Sequence, residues 1–230
     1  MNFISLNIQG LGKKAKKEWV KELCNKNKFE YVHSDAVGNS GGILCVWDPI
    51  CYYKENVTKS DSFVMIRGVW RATGVKLMII AVYAPHEQKE KHLLWDYLEK
   101  KIKWWDGEVV TMGDFNEVRR KCERLGSVFN AYEANVFNSF IVGSGLAEVV
   151  LGGSKFTWCH KSGSKMSKLD RFLISENLMY TYSNINAITL PMYLSDHCPI
   201  FLREISHDYG PIPFKVFHYW FDIDGFNNLV

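Results

Sequence analysis

Apolar and polar residues fall into short blocks along most of this chain, and those blocks predict more strands than helices. Met1 to Ile8 alternates and then breaks at Asn7-Ile8-Gln9-Gly10, which predicts a strand with Asn7 at its end. Phe29 to Val32 is a short strand candidate, Ser34 to Gly42 a polar turn, and Gly42 to Trp47 a strand closed by Asp48-Pro49. Phe63 to Trp70 and Lys76 to Tyr83 read as a hairpin turning at Ala72-Thr73-Gly74. Glu108-Val109-Val110-Thr111 reads as a buried strand, Phe156-Thr157-Trp158 as a short one, Gly163 to Lys168 as a turn and Leu169 to Ile174 as another strand. A weak strand is expected to begin near Ile188, and Ile200 to Leu202 is the last.

Three stretches carry helical spacing instead. Lys13 to Lys26 shows Trp19, Val20, Leu23 and Cys24 on one side. Lys89 to Trp105 places Leu93, Leu94, Tyr97, Leu98 and Ile102 inward, and Ala131 to Ser144 places Phe137, Phe140 and Ile141 inward. Strands come in pairs with helices between them, not in strict alternation. The expected fold is therefore α/β, with two mainly antiparallel sheets packed together and helices outside.

Composition narrows the class without naming a function. The chain has 230 residues, 47% of them hydrophobic, enough for one domain with a substantial core. Its net charge of +3 is compatible with a polyanionic partner but does not require one. The six cysteines show neither a C-x-x-C pair nor zinc spacing, which points to reduced thiols and an intracellular setting. No signal peptide, membrane-length apolar run or repeat is visible, so no membrane partner is expected. From Ser206 the character changes: 208–213 reads as a linker, and Phe214 to Val230 is rich in aromatic residues. The expected division is a domain over 1–205 and a tail over 206–230.

The candidate chemistry lies at strand ends. Met112-Gly113-Asp114-Phe115-Asn116 follows the buried strand, and residues two apart on an extended backbone face the same way. Asp114 and Asn116 can then address one small polar target. Asn7, Tyr83, Asp170 and the pair Asp196-His197 hold similar positions, and strand ends of a layered fold gather at one edge. Metal-assisted hydrolysis of a phosphodiester needs such a set. Carboxylates and carboxamides are hard ligands for Mg²⁺. A carboxylate activates water, a histidine stabilises developing charge, and a second aspartate fixes its tautomer. Each residue alone has a plainer reading: a turn for Gly113-Asp114-Phe115-Asn116, a strand cap for Asn7, a sheet residue for Tyr83, a surface or core histidine for His197, and a surface ion pair for Asp170 with Arg171. The lysines at 13, 14, 16 and 17 read equally as a solvated helix face.

Taken together, these segments resemble the endonuclease/exonuclease/phosphatase superfamily, and within it the apurinic-type endonuclease domain of plant LINE-type (non-LTR) retrotransposon polyproteins. The resemblance runs from Ser5-Leu6-Asn7 through Ser40-Gly41-Gly42, Val82-Tyr83-Ala84-Pro85, Gly113-Asp114-Phe115-Asn116, Phe156-Thr157-Trp158 and Lys168-Leu169-Asp170-Arg171 to Ser195-Asp196-His197. It implies a four-layer α/β sandwich, DNA as partner, and a nick that leaves a 3′-hydroxyl. It implies catalytic roles for Asp114, Asn116, His197, Asp170 and Tyr83. It places Asn7 and Asp196 at a Mg²⁺ (or Mn²⁺) site. It also implies a reverse transcriptase joined through the tail, and action in the nucleus.

One part of the pattern is missing. The family's strand after the first helix ends in a glutamate that is the main metal ligand, but here Asn25-Lys26-Asn27-Lys28 runs directly into Phe29-Glu30-Tyr31-Val32. The reading is an internal deletion that removes one strand near residues 27–29 and leaves the metal weakly held. Glu30 is the one nearby residue that could substitute. Reduced or absent nicking is the expected consequence. The rivals are a nucleic-acid-binding module without catalysis, an inert remnant, and a phosphatase of small phosphoesters.

Overall fold

The computed structural model describes residues 2–5, 28–35, 42–192 and 195–204. At its centre is a six-stranded sheet in the order β4 (Tyr52–Lys59), β5 (Phe63–Trp70), β6 (Val75–Tyr83), β7 (Glu108–Asp114), β13 (Asp170–Ser175) and β9 (Leu146–Glu148). Its neighbours are antiparallel except β6 and β7. That parallel pair requires a crossover, supplied by helix α1 (Gln88–Lys103). Helix α2 (Ala131–Gly143) covers the same face beside it, capped by the Asn130 side chain, which accepts from the Tyr132 and Glu133 amides.

The other face packs against a four-stranded sheet, β1 (Asn2–Ser5), β15 (Ile200–Glu204), β14 (Ile185–Thr189) and β10 (Leu151–Gly152), and against the hairpin of β2 (Glu30–Ser34) with β3 (Ile43–Trp47). The short helix α3 (Glu176–Thr181) follows β13 and buries Leu178 on this side. Three small strands, β8 (Arg124–Leu125), β11 (Trp158–Cys159) and β12 (Met166–Ser167), form a separate sheet. Among the described residues this makes three layers of the expected sandwich. The helix expected over Lys13 to Lys26 and the tail 206–230 lie outside the described residues.

Alternation along the central strands explains both cores. On β5, Phe63 and Met65 face the helices while Val64 and Ile66 face the second sheet. On β6, Met78, Ile80 and Val82 face the helices and Leu77 and Ile79 the second sheet. Strands buried on both faces read as unbroken apolar runs, and these do. The strand β4 was not expected from the pattern. Its Lys54, Glu55 and Asn56 break the alternation, and a register shift lies between Lys54 and Asn56, as suits an edge strand. Leu93, expected inside α1, is 70% exposed; the buried face is instead Lys91, Leu94, Trp95, Leu98 and Ile102. Ile188 lies near the end of β14, not its start.

Between β1 and β3 the second layer opens into a cavity of about 530 Å³, floored by β5, β6 and β7. Phe3, Cys45, Trp47, Ile79 and Met112 line it, and it reaches Tyr83 and Asp114. Among the described residues, β1 and β3 each have a strand neighbour on one side alone. Burial without charged neighbours pushes the Cys45 thiol up to about 12.

The helix-side core centres on Phe137, which has no exposed surface and packs against the rings of Trp95, Phe115 and Phe140. Replacing Phe137 by Ala is expected to cost about 3–5 kcal/mol, read from urea unfolding monitored by tryptophan fluorescence. An unchanged midpoint would contradict this packing.

Candidate active site

Strand register assembles the site. Asp114 ends β7, and antiparallel pairing sets Asp170, the first residue of β13, directly opposite it. Parallel pairing on the other side sets Tyr83, the last residue of β6, beside Asp114. Three of the expected residues thus lie in one row across adjacent strands. Gly113 permits the close approach: its φ is +129°, and a Cβ there would run into the Val82 carbonyl oxygen. His197 comes from a different direction, held against the small sheet by a bridge to Trp158.

Asp114, Asp170 and His197 are all buried, at 4%, 2% and 7% exposure. His197 Nδ1 and Asp170 Oδ2 are 2.7 Å apart, and His197 Nε2 lies 3.7 Å from Asp114 Oδ2. The Leu169 and Asp170 amides both donate to Thr157 Oγ1 at 2.9 Å, which fixes the start of β13. Asp196 accepts the Trp158 indole N–H at 2.9 Å, so the aspartate beside His197 is oriented as well. Asn116 adopts φ +47°, rare outside glycine and most tolerated by Asn. Its amide donates to Asp114 Oδ1 at 2.9 Å, and its Nδ2 donates to the Ala84 carbonyl at 2.7 Å.

The plain reading of Asp170 as a surface partner of Arg171 is overturned. Successive strand residues face opposite sides. Arg171 is fully buried on the other side of β13, paired with Glu123 at 2.6 Å and Glu148 at 2.7 Å. Burial pushes the Glu148 carboxyl up, but Arg171, Lys168 and Arg119 together hold it down at about 2. The sequence marks Thr157 only within the Phe156-Thr157-Trp158 segment and gives it no role at the site, and cations and carboxylates far apart in sequence give no local signal of pairing.

Burial by itself lowers the His197 pKa. The hydrogen bond and charge of Asp170, then the charges of Asp114 and Asp196, outweigh it and raise the value to about 9. At neutral pH the ring is therefore an imidazolium between two carboxylates. Asp170 fixes Nδ1 and turns Nε2 toward Asp114. Such a group can donate a proton or hydrogen bond from Nε2 while Asp114 accepts one.

No protein-family model matches the chain, and no curated protein matches it. Solved structures do match. The AP endonuclease LMAP from Leishmania major superposes with a TM-score of 0.68 at 13% identity, over 87% of this chain and 86% of that one. The endonuclease domain of TRAS1, a telomere-specific non-LTR retrotransposon, gives 0.60 at 15% identity, over 88% and 97%. D. rerio TDP2 complexed with single-strand DNA product gives 0.61 at 15%, over 88% and 97%. The chain has the fold of AP endonucleases. Among the described residues, its six-stranded and four-stranded sheets, with α1 and α2 over the outer face of the six-stranded one, fit the α/β sandwich expected from the pattern. Among the described residues no helix is long and apolar enough to cross a membrane.

Among the described residues, one group could hold a cation. Ligand atoms of Asp114, Asp170 and His197 lie within 4.8 Å of one another. Yet Asp170 is engaged by His197, Asp196 by Trp158, and one oxygen of Asp114 by the Asn116 amide. Asn7 lies outside the described residues. Glu30 is exposed on β2 and pairs with Lys54 at 3.4 Å.

In an NMR titration of the metal-free protein, His197 is expected to titrate near pH 9 in place of 6.5, and to fall toward 6.5 in Asp170→Asn. Because the folded value is the higher one, the stability this contributes is complete below pH 6.5 and is lost as pH rises through about 9. Titration at an ordinary value in the wild type would contradict the geometry.

Proposed function

We propose that this chain is a DNA-nicking phosphodiesterase of the retrotransposon-endonuclease kind, weakened by the loss of its main metal ligand. The observation that carries the reading is the buried Asp114, Asp170 and His197 group, set in register with Tyr83 and flanked by Asn116. The neighbouring folds that act on DNA support it.

In this reading, Asp114 takes the proton from the attacking water. It is buried, and its carboxylate is oriented by the Asn116 amide. Asn116 keeps one Nδ2 hydrogen on the Ala84 carbonyl and offers the other to a non-bridging phosphate oxygen. His197, aligned by Asp170, presents its Nε2–H to the charge that develops on the phosphoryl oxygens. Tyr83 borders the phosphate. Family resemblance would put Mg²⁺, or Mn²⁺, near Asn7 and Asp196, and the engagement of the described carboxylates favours weak binding there. The missing strand and its glutamate, near residues 27–29, are what the family resemblance implies. The tail 206–230 would then be a linker toward a reverse transcriptase, and action on chromosomal DNA would place the protein in the nucleus.

The test is nicking of supercoiled plasmid in Mg²⁺ or Mn²⁺. Slow nicking is expected, with ends that a polymerase extends, and with a loss of ~100-fold or more in Asp114→Ala. Equal nicking by Asp114→Ala would contradict the assignment. The crowded carboxylates also favour a second reading, a DNA-binding module without catalysis. Complete absence of nicking, together with binding that weakens steeply with salt, would select that one.

A further inference from the structure

Helix α1 carries a lysine on its apolar face. Lys91 is 3% exposed, one turn from Leu94 and Trp95. Its Nζ donates to Glu117 Oε2 at 2.6 Å and to the Asn116 carbonyl oxygen at 2.9 Å. Both side chains of the pair are 4% exposed. A buried ion pair is a poor source of stability, since apolar residues of similar volume pack at least as well. The position therefore asks for another explanation, and Asn116 supplies one.

Asn116 is held in the left-handed region at φ +47°. In that conformation its carbonyl turns to α1, and Lys91 is the donor that meets it. The amide of Asn116 is fixed by Asp114 and its Nδ2 by the Ala84 carbonyl. Because that carbonyl only accepts, the carboxamide nitrogen, not its oxygen, must face it. On the other side, Arg171 Nη2 donates to the Lys168 carbonyl at 2.8 Å and reaches the Glu117 carbonyl at 3.5 Å. The loop after β7 thus lies between two buried cations.

We propose that Lys91 is a positioning residue: its ammonium, made affordable by Glu117, locks the Asn116 carbonyl so that the carboxamide points at the phosphate site. Its consequence for catalysis rests on the function proposed above; the positioning itself does not. Glu117 neutralises Lys91 and accepts from the Val118 amide through Oε1 at 3.1 Å, which anchors the loop beyond Asn116.

The test uses the full chain with both charges removed, K91M/E117Q, so that neither is left buried alone. In NMR spectra of the metal-free protein, the Asn116 side-chain amide signals should move and lose protection in K91M/E117Q. In nicking assays the double variant should lose about tenfold in kcat with KM for DNA little changed, and N116A should cost several-fold less in that background than in the wild type. A merely structural role would leave the N116A cost unchanged. Unmoved Asn116 signals in the double variant, or independent losses from N116A, would each overturn the proposal. Moved signals in a protein that never nicks would uphold the positioning and reject the proposed function.

Discussion

Asp170 stands opposite Asp114 because β13 lies against β7 in one register over five residue pairs. That register is enforced by what the strands bury. Phe172 and Ile174 face the second sheet, while Leu173 faces the helices. A slip of one residue would turn every side chain to the wrong face, burying Arg171 in an apolar layer and removing Asp170 from the rim. The apolar core thus sets the positions of the two carboxylates, and the Leu169 and Asp170 bonds to Thr157 finish the alignment.

Given those two carboxylates, the third member follows from electrostatics. Two buried anions in adjacent strands repel unless something positive lies between them. His197 does so by keeping a proton that burial alone would strip. The same requirement shapes the opposite face of β13, where Arg171 and Lys168 balance Glu123 and Glu148. Strand β13 therefore carries a poised site on one face and a buried ionic anchor on the other, separated by the pleat.

Much of this was legible in sequence because it is local. The hairpin from Phe63 to Tyr83 and the helix from Ala131 show their periods plainly, and Asp114 and Asp170 sit at the ends of apolar strands, with Asn116 just beyond one and His197 three residues before another. The illegible parts are long-range or edge features. β4 carries charges because an edge strand tolerates water. Lys91 breaks the apolar face of α1 for a partner twenty-six residues away, at Glu117. Trp158 and Thr157 matter through bonds to Asp196 and Asp170, which no spacing rule connects. The motifs name the candidate residues, whereas the geometry shows how their carboxylates are engaged.

The cavity between β1 and β3 reaches Tyr83 and Asp114 at the rim of the candidate site. That rim is tied together by the Asp170–His197 pair, whose coupling can be measured without any reaction. In a double-mutant cycle of urea unfolding at pH 7, Asp170→Asn, His197→Ala and the double variant should reveal a coupling of about 1–3 kcal/mol that falls once the imidazole has lost its charge and keeps only the neutral Nδ1–H bond. Additive losses at pH 7, with no coupling to remove, would contradict the claim that these strands assemble a charged pair.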